Sequence, residues 1–160
     1  MKNTKLLLFA LVVLAFVVVS CEGKEPTSPG DKNTLFNTRW KLVGFFDVGN
    51  GKIENVVLRD CEDCYTLDFW KDTTITEMGK EYWMCTGRLI TIRFSGSYIA
   101  DYAHSTIYFH QIVRAHIEEP YDGDKYGNAL EVIQEFELNE SELKLYYNNK
   151  KSYLLFRGRQ

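Results

Sequence analysis

The sequence has little of what several large classes of protein need. Its 160 residues include three histidines, three prolines and four cysteines, and the formal net charge is −3. A chain without an excess of positive charge has no overall electrostatic attraction for nucleic acid or for anionic lipid. The sequence also lacks the glycine, serine and histidine patterns of P-loop, dinucleotide-binding, metalloprotease and serine-hydrolase sites. We therefore expect no nucleic-acid binding, no cofactor, no metal and no catalytic residue.

A long hydrophobic run occurs near the start of the chain. Lys2 and Lys5 lead into the fourteen apolar residues 6–19, which is shorter than the roughly 20 residues that a membrane-spanning helix needs. A basic start followed by a short apolar run is the layout of a secretory signal peptide. We assign residues 1–20 to such a peptide. An uncleaved anchor is the alternative.

The end of this run is more informative than its length. It reads Val18-Val19-Ser20-Cys21, which resembles the lipobox of bacterial lipoproteins. In that family the cysteine is acylated and becomes the first residue of the mature chain, so the resemblance implies a lipid anchor at Cys21. Two or more acyl chains hold a protein firmly at a membrane, since each buried methylene contributes roughly 0.8 kcal/mol. The implied location is the bacterial cell envelope, at the outer membrane. An ordinary signal peptide with an incidental cysteine is the other interpretation.

The residues after Cys21 separate the anchor from the rest of the chain. Residues 22–33 contain two prolines, two glycines and no large apolar side chain, a composition typical of a flexible linker with a reach on the order of 20 Å. We assign residues 21–34 to the lipidated cysteine and its tether. Residues 35–160 form one domain, long enough to bury its own core.

Three further cysteines allow several kinds of chemistry. Two of Cys61, Cys64 and Cys85 can form a disulfide, which leaves one thiol over. The Cys61-x-x-Cys64 spacing also occurs in zinc half-sites and in redox motifs. A zinc site needs two more ligands, and a thioredoxin-like site needs the motif at the start of a helix. We expect a structural disulfide and keep the other two readings open.

The domain reads as short strands separated by turn signals. Alternating apolar and polar residues at this spacing are typical of an antiparallel meander. We predict a mainly β domain, a single antiparallel meander β-barrel of about 8 strands, with one short helix before the last three strands. The predicted elements are strands at Thr38–Asp47, Tyr65–Trp70, Thr73–Met78, Tyr82–Thr86, Leu89–Phe94 and Thr106–Ile117, turns at 72–73 and 87–88, a long connection over Ser95–Ser105, a helix over Lys125–Val132 and a three-strand meander at the end.

Three short motifs add a resemblance. The segments Trp40-Lys41-Leu42, Leu143-Lys144-Leu145 and Leu154-Leu155-Phe156, with the lipobox and the tether, resemble small envelope lipoproteins of the Bacteroidales. Those proteins carry lipocalin-like or META-domain-like β-barrels, so the resemblance implies a barrel over about residues 35–157. It carries over no functional residue.

Polar groups that are close in sequence form four weak candidates. Each has a functional interpretation and a structural one, and for each we favour the structural interpretation. The candidates are a hydrolytic group at Asp101, His104 and Ser105, a histidine pair at His110 and His116, a calcium loop at Glu118, Glu119, Asp122 and Asp124, and a short O-glycosylation motif at Asp72-Thr73-Thr74.

Aromatic residues are the most abundant feature that bears on function. A small barrel either fills itself with side chains or encloses a ligand, and seven aromatics are candidates for lining such a cavity: Trp40, Phe45, Tyr65, Phe69, Trp83, Phe94 and Phe136. We expect them to pack as a solid core. Our functional hypothesis is a non-catalytic, membrane-anchored lipoprotein that binds a small apolar ligand or an envelope protein. The alternatives are an accessory subunit or protease inhibitor of the envelope, and a thiol-redox enzyme using Cys61 and Cys64.

Overall fold

A computed structural model describes residues 34–57 and 60–159, apart from the side chains of residues 72 and 73. The predicted signal peptide, the predicted lipid-attachment residue Cys21 and the predicted tether up to residue 33 lie outside the described residues. So do the aspartate and the first threonine of the predicted glycosylation motif, as far as side chains are concerned.

The described chain consists of strands and one short helix. Its elements are β1 (Thr38–Asp47), β2 (Lys52–Asn55), β3 (Thr66–Glu77), β4 (Lys80–Arg88), β5 (Arg93–Asp101), β6 (Thr106–Val113), α1 (Gly123–Leu130), β7 (Glu135–Leu138), β8 (Glu142–Tyr147) and β9 (Ser152–Gly158).

The strands close into a barrel. From β3 to β9 each strand pairs with the next one along the chain, and β9 pairs with β1, all in antiparallel register. The other edge of β1 is shared, because Thr38–Lys41 pair with β3 while Gly44–Asp47 pair with β2. Eight strands therefore form a closed antiparallel barrel, which β2 extends on one side. The predicted fold class is confirmed.

Helix α1 packs on one end of the barrel. Tyr126 is fully buried, and its hydroxyl donates a hydrogen bond to the carbonyl oxygen of Thr66 at 3.0 Å. Its ring packs edge-on against the rings of Tyr65, Phe94 and Phe156. Burial of one aromatic and two aliphatic side chains along its inner face explains why so short a helix is stable, since isolated helices of this length are marginal. The helix begins and ends two residues before the predicted bounds.

The residues just before β1 pack against the barrel. Leu35 is fully buried, and its backbone N–H donates to the hydroxyl of Tyr102 at 3.0 Å. The ring of Phe36 meets that of Trp83 edge-on, with 4.9 Å between centroids, and also contacts Tyr102. The first described residues of the domain are thus fixed to the barrel by their apolar side chains.

The predicted turn at residues 72–73 is wrong. The chain runs through this region as one strand of twelve residues, Thr66–Glu77. Its pairing with β4 changes register between Phe69 and Thr74, the signature of a β-bulge. A bulge adds residues to a strand without reversing the chain. The sequence pattern predicts a turn here because the residues of the bulge are polar.

The region from 87 to 105 differs most from the prediction. Gly87 and Arg88 belong to β4 and do not form a turn. Leu89–Ile92, predicted as a strand, is a loop, and Ser95–Asp101, predicted as a connection, lies in β5. The loop forms because the backbone N–H groups of residues 90–92 donate to Glu119, so they are unavailable to a neighbouring strand. The predicted strand from Thr106 ends four residues early, at Val113.

Candidate functional site

The seven aromatic candidates for a cavity all join one continuous apolar core. Six are buried, with at most 5% of their surface exposed, and Trp83 is half-buried against them. Phe69 and Tyr98 meet edge-on, with ring centroids 4.9 Å apart, and Tyr98 also contacts Phe109. Side chains that pack ring against ring at these separations fill the space between the strands.

Two hydroxyls inside this core, those of Tyr65 and Tyr98, have no hydrogen-bond partner among the described residues. The hydroxyl of Tyr98 is buried and makes no hydrogen bond with the described residues. Burial raises the pKa of Tyr98 far above its ordinary value, so the group stays a neutral hydroxyl. A buried hydroxyl without a hydrogen bond costs about 1–3 kcal/mol.

Cys61 and Cys64 form a disulfide in the loop that precedes β3. The Nζ atom of Lys41 donates hydrogen bonds to the carbonyl oxygens of both cysteines. Burial, with a smaller contribution from the charge of Arg159, lowers the pKa of Lys41. The disulfide does not lie at the start of a helix, the position that a thioredoxin-like mechanism needs.

Cys85 is separate from the disulfide. It is fully buried as a free thiol on β4, and burial raises its pKa to about 12. A neutral, enclosed thiol is neither a good nucleophile nor a good metal ligand. Cys85 therefore acts as a small apolar core residue.

The Asp101, His104 and Ser105 group is a local turn. Nδ1 of His104 lies 2.6 Å from Oδ2 of Asp101, and Oδ1 of Asp101 accepts the backbone N–H of Ala103 and of His104. This contact raises the pKa of His104 and lowers that of Asp101. The carbonyl of Ser105 accepts the N–H of Phe136. Aspartate and histidine are brought together, but in an exposed loop.

The two remaining histidines are not a pair. Nε2 of His110 on β6 lies 2.6 Å from Oε2 of Glu77, and its ring stacks on Tyr82 with centroids 4.5 Å apart. His116 is exposed beyond the end of β6. Among the described residues no group of three histidine, cysteine, aspartate or glutamate side chains is placed to hold a metal ion.

The acidic residues between β6 and α1 bind backbone groups. Glu119 is only 4% exposed, so it does not sit in a solvated turn as expected. Its two carboxylate oxygens accept the N–H groups of residues 90–92 and the hydroxyl of Thr91 at 2.6–3.2 Å. Burial raises its pKa, but these hydrogen bonds outweigh burial and hold the pKa below its ordinary value. Asp122 accepts the N–H of Val57, and Asp124 accepts that of Glu119.

A groove rich in arginine crosses the outer face of the barrel. Its volume is about 280 Å³. We call it the arginine groove and define it by the side chains that line it, namely Arg39, Asp63, Thr66, Asp68, Thr86, Gly87, Arg88, Arg93, Phe94 and Arg159. It therefore contains four of the seven arginines of the chain.

Strand register explains why these side chains meet. Successive side chains on a strand point to opposite faces, and Leu67 on β3 and Cys85 on β4 are buried in the core. Their neighbours therefore point outward. Arg88 is directly opposite Arg93 on β5, and the carbonyl of Arg39 on β1 accepts the N–H of Arg159.

Two aspartates partly neutralise the arginine groove. Nε of Arg39 lies 3.2 Å from Oδ1 of Asp68, and Nη1 of Arg159 lies 3.6 Å from Oδ1 of Asp63. Because Asp63 lies between Cys61 and Cys64, the disulfide loop contributes a wall of the groove. Arg93 has no ion pair or side-chain hydrogen bond with any residue that the structure describes.

A second outer feature is apolar. Ile99 on β5 is directly opposite Tyr108 on β6, and they are 37% and 55% exposed. A cleft of about 310 Å³ lies beside them. We call it the apolar cleft, and it is lined by Ile99, Asp101, Thr106, Ile107, Tyr108, Ile133 and Gln134.

The sequence pattern predicts neither surface feature. It puts Arg88 in a turn and Ile99 in a connection, so it assigns neither residue to a face of a strand. The observed bounds of β4 and β5 put Thr86 and Arg88 on one face, which is the signal that identifies the outward arginines.

Fold and surface together define a small, closed antiparallel β-barrel with a packed aromatic core and several outer depressions, among them the arginine groove and the apolar cleft. None of the helices in the described part of the chain has the length and apolar character needed to cross a membrane.

Solved structures share this barrel. A DUF4847 family protein from Bacteroides vulgatus has a TM-score of 0.58 at 15% identity, over 77% of this chain and 93% of that one. A protein from Burkholderia xenovorans has a TM-score of 0.57 at 20% identity, over 79% and 84%. No protein-family description matches the sequence, and no curated protein matches it. At these identities the similarity shows the fold alone.

Proposed function

We propose that this protein is a non-catalytic lipoprotein of the bacterial envelope, anchored through Cys21, with a lipocalin-like or META-domain-like barrel that binds a partner protein on its outside. The observation that supports an outer binding site most is the filled interior. The aromatic side chains that were candidates for lining a cavity pack on one another, and Tyr126 packs against them from α1. Binding capacity is then left to the outer face.

The apolar cleft is the part of that face best suited to a protein partner. Tyr108 and Ile99 expose much of their surface side by side, and the floor adds Ile107 and Ile133. Apolar side chains grouped at the surface and surrounded by polar ones are typical of protein interaction sites. Tyrosine is also enriched among the residues that dominate binding energy.

A photo-reactive amino acid in place of Tyr108 tests the partner. Cross-linking in native membranes should give one discrete adduct. The same substitution at Lys151, an exposed residue in the β8–β9 turn, serves as the matched control and should give none. Equal yields at the two positions, or no adduct at Tyr108, would contradict the proposed surface.

Labelling with radioactive palmitate tests the anchor separately. The natural chain should take up label, and the Cys21→Ala chain should not. Absence of label in the natural chain would remove the lipid anchor from the proposal and leave the binding surface untouched.

A second function is favoured by the unpaired hydroxyl of Tyr98. A small apolar molecule with one polar group, such as a fatty acid, would satisfy that hydroxyl if the core opened to admit it. Titration with a fatty-acid and dye panel tests this. Binding that Tyr98→Phe weakens at least fivefold would support it, while a panel without any binding would exclude it.

A further inference from the structure

We propose that the arginine groove is a binding site for a phosphomonoester group. The groove lies on the outer face of β1, β3, β4 and β5, next to the end of β9, and so it is separate from the apolar cleft on β5 and β6. The inference goes beyond the proposed function and does not depend on the lipid anchor.

The first argument is the register of Arg88 and Arg93. These two residues are directly opposite each other on paired strands, and like charges in that position repel. In the next strand pair Thr66, which is uncharged, is opposite Arg88. On β3, the position beside Arg88 therefore holds no acidic side chain that could neutralise this pair of arginines. An anion bound between them would remove the repulsion.

The second argument is the number of hydrogen-bond donors without acceptors. Each guanidinium carries five N–H donors. Arg39 and Arg159 each meet one aspartate, and Nε of Arg88 donates to the carbonyl oxygen of Ile90 at 3.2 Å. Arg93 meets no acceptor among the described residues. Most of the donors that line the groove are left for a ligand.

The third argument is charge. Four arginines and two aspartates give the arginine groove a formal charge of +2, although the whole chain carries −3. A phosphomonoester carries about −1.5 to −2 at neutral pH and offers three acceptor oxygens. The charge of the ligand therefore matches that of the site.

The geometry favours phosphate over a single carboxylate. A carboxylate is planar and is satisfied by one arginine in a bidentate contact. In the arginine groove the guanidinium groups come from β1, β4, β5 and the residue that follows β9. Donors that approach from several strands suit a tetrahedral group. The volume of about 280 Å³ leaves room for a phosphate and a small attached group.

Calorimetric titration of the natural full chain in an uncharged detergent tests the site, with inorganic phosphate and glycerol phosphate as probes. We expect saturable binding that weakens as salt is added, because salt screens charge. Arg93→Gln and Arg88→Gln should each weaken binding at least tenfold. The matched control Arg157→Gln removes an exposed arginine of β9 that does not line the groove, and it should change affinity less than twofold.

A variant that is expected to tighten binding separates loss of the site from loss of folding. Asp68→Asn removes the carboxylate that occupies Arg39, and it should tighten phosphate binding severalfold. No binding by the natural chain would overturn the proposal, and so would equal losses in Arg93→Gln and Arg157→Gln or weaker binding by Asp68→Asn.

The source of the phosphate is decided by competition. Micelles doped with phosphatidic acid, a lipid monoester, should displace inorganic phosphate if the natural ligand is a lipid headgroup, while phosphatidylglycerol, a diester, should not. Displacement by glycerol phosphate alone identifies a soluble ligand. Equal displacement by both lipids would show attraction to negative charge in general and would overturn a phosphomonoester site. The palmitate experiment has no bearing on any of these outcomes, so the anchor and the groove can fail independently.

Discussion

Arg88 and Arg93 face each other across the β4–β5 pair as direct register partners. Arg93 has no acidic partner in the part of the chain that the structure describes. The pair is a local defect in stability, because like charges directly opposite on neighbouring strands destabilise a sheet by roughly 0.2–1 kcal/mol.

Neutralising one member of this pair should therefore stabilise the empty protein. For Arg93→Gln we expect the free energy of unfolding to rise by about 0.5 kcal/mol at low ionic strength, measured by chemical denaturation. The gain should fade at about 1 M salt, where the screening length is short. A variant less stable than the natural chain at low salt would mean that Arg93 supports the fold, which contradicts its role as an unpaired ligand-binding side chain.

The hydrogen bonds of Glu119 lead to a second prediction. Glu119→Ala removes the acceptor for three backbone N–H groups of the β4–β5 loop, and it should cost about 3 kcal/mol of unfolding free energy. Glu118→Ala, on the exposed neighbour, is the control and should cost less than about 0.5 kcal/mol. Similar losses in the two variants would show that the hydrogen bonds contribute little.

The same residue should set part of the acid stability. The pKa of Glu119 is lower in the folded protein than in the unfolded chain. Its contribution is therefore present above the unfolded-state pKa of about 4.3 and is lost as the pH falls through the folded-state pKa. Denaturation midpoints measured between about pH 3 and 6 should fall less steeply in Glu119→Gln than in the natural chain.

Two regions show how far the sequence predicts the fold. At the C-terminal end, Leu143 and Leu145 alternate with polar residues, and the strand is where that pattern places it. Between 87 and 105 the pattern fails because a distant side chain intervenes. Glu119 takes the N–H groups of residues 90–92, so a run of apolar residues becomes a loop. Gly96 and Ser97, which resemble a connection, are buried in β5.

The candidate sites show the same limit. The sequence predicts Asp101 and His104 as neighbours, because they are three positions apart on one loop, and the structure brings them into contact. The arginine groove joins side chains from four strands, and its members are up to 120 positions apart. Register between strands, which single-sequence patterns do not fix, decides that Arg88 meets Arg93.

The cysteines supply a fourth prediction. Reducing the Cys61–Cys64 disulfide opens a loop of only a few residues, so it should cost at most about 2 kcal/mol of unfolding free energy in the chain-entropy description. Once the disulfide is reduced, the half-buried Cys61 should react with a maleimide at native conditions. Cys64, which is 3% exposed, and Cys85, which is buried with a pKa of about 12, should react only on unfolding. Mass spectrometry of the labelled peptides checks this. Prompt labelling of Cys85 in the folded protein would contradict its place in the core.

The contact between Asp101 and His104 predicts the direction in which the pKa of His104 is shifted. The hydrogen bond from the imidazole to Asp101 favours the charged ring, so the pKa of His104 lies above the 6.5 of a free histidine. Because folding raises its pKa, protonated His104 stabilises the folded turn at pH values below the unfolded-state pKa. That contribution to stability disappears as the pH rises through the folded-state pKa. The pKa of Asp101 is lowered, so the contribution of its carboxylate is present at higher pH and is lost as the pH falls. An NMR titration should show His104 titrating above the 6.5 of a free histidine. Asp101→Asn should return His104 to the ordinary range. If His104 titrates at the same pH in both proteins, the carboxylate and the ring are not in contact in solution.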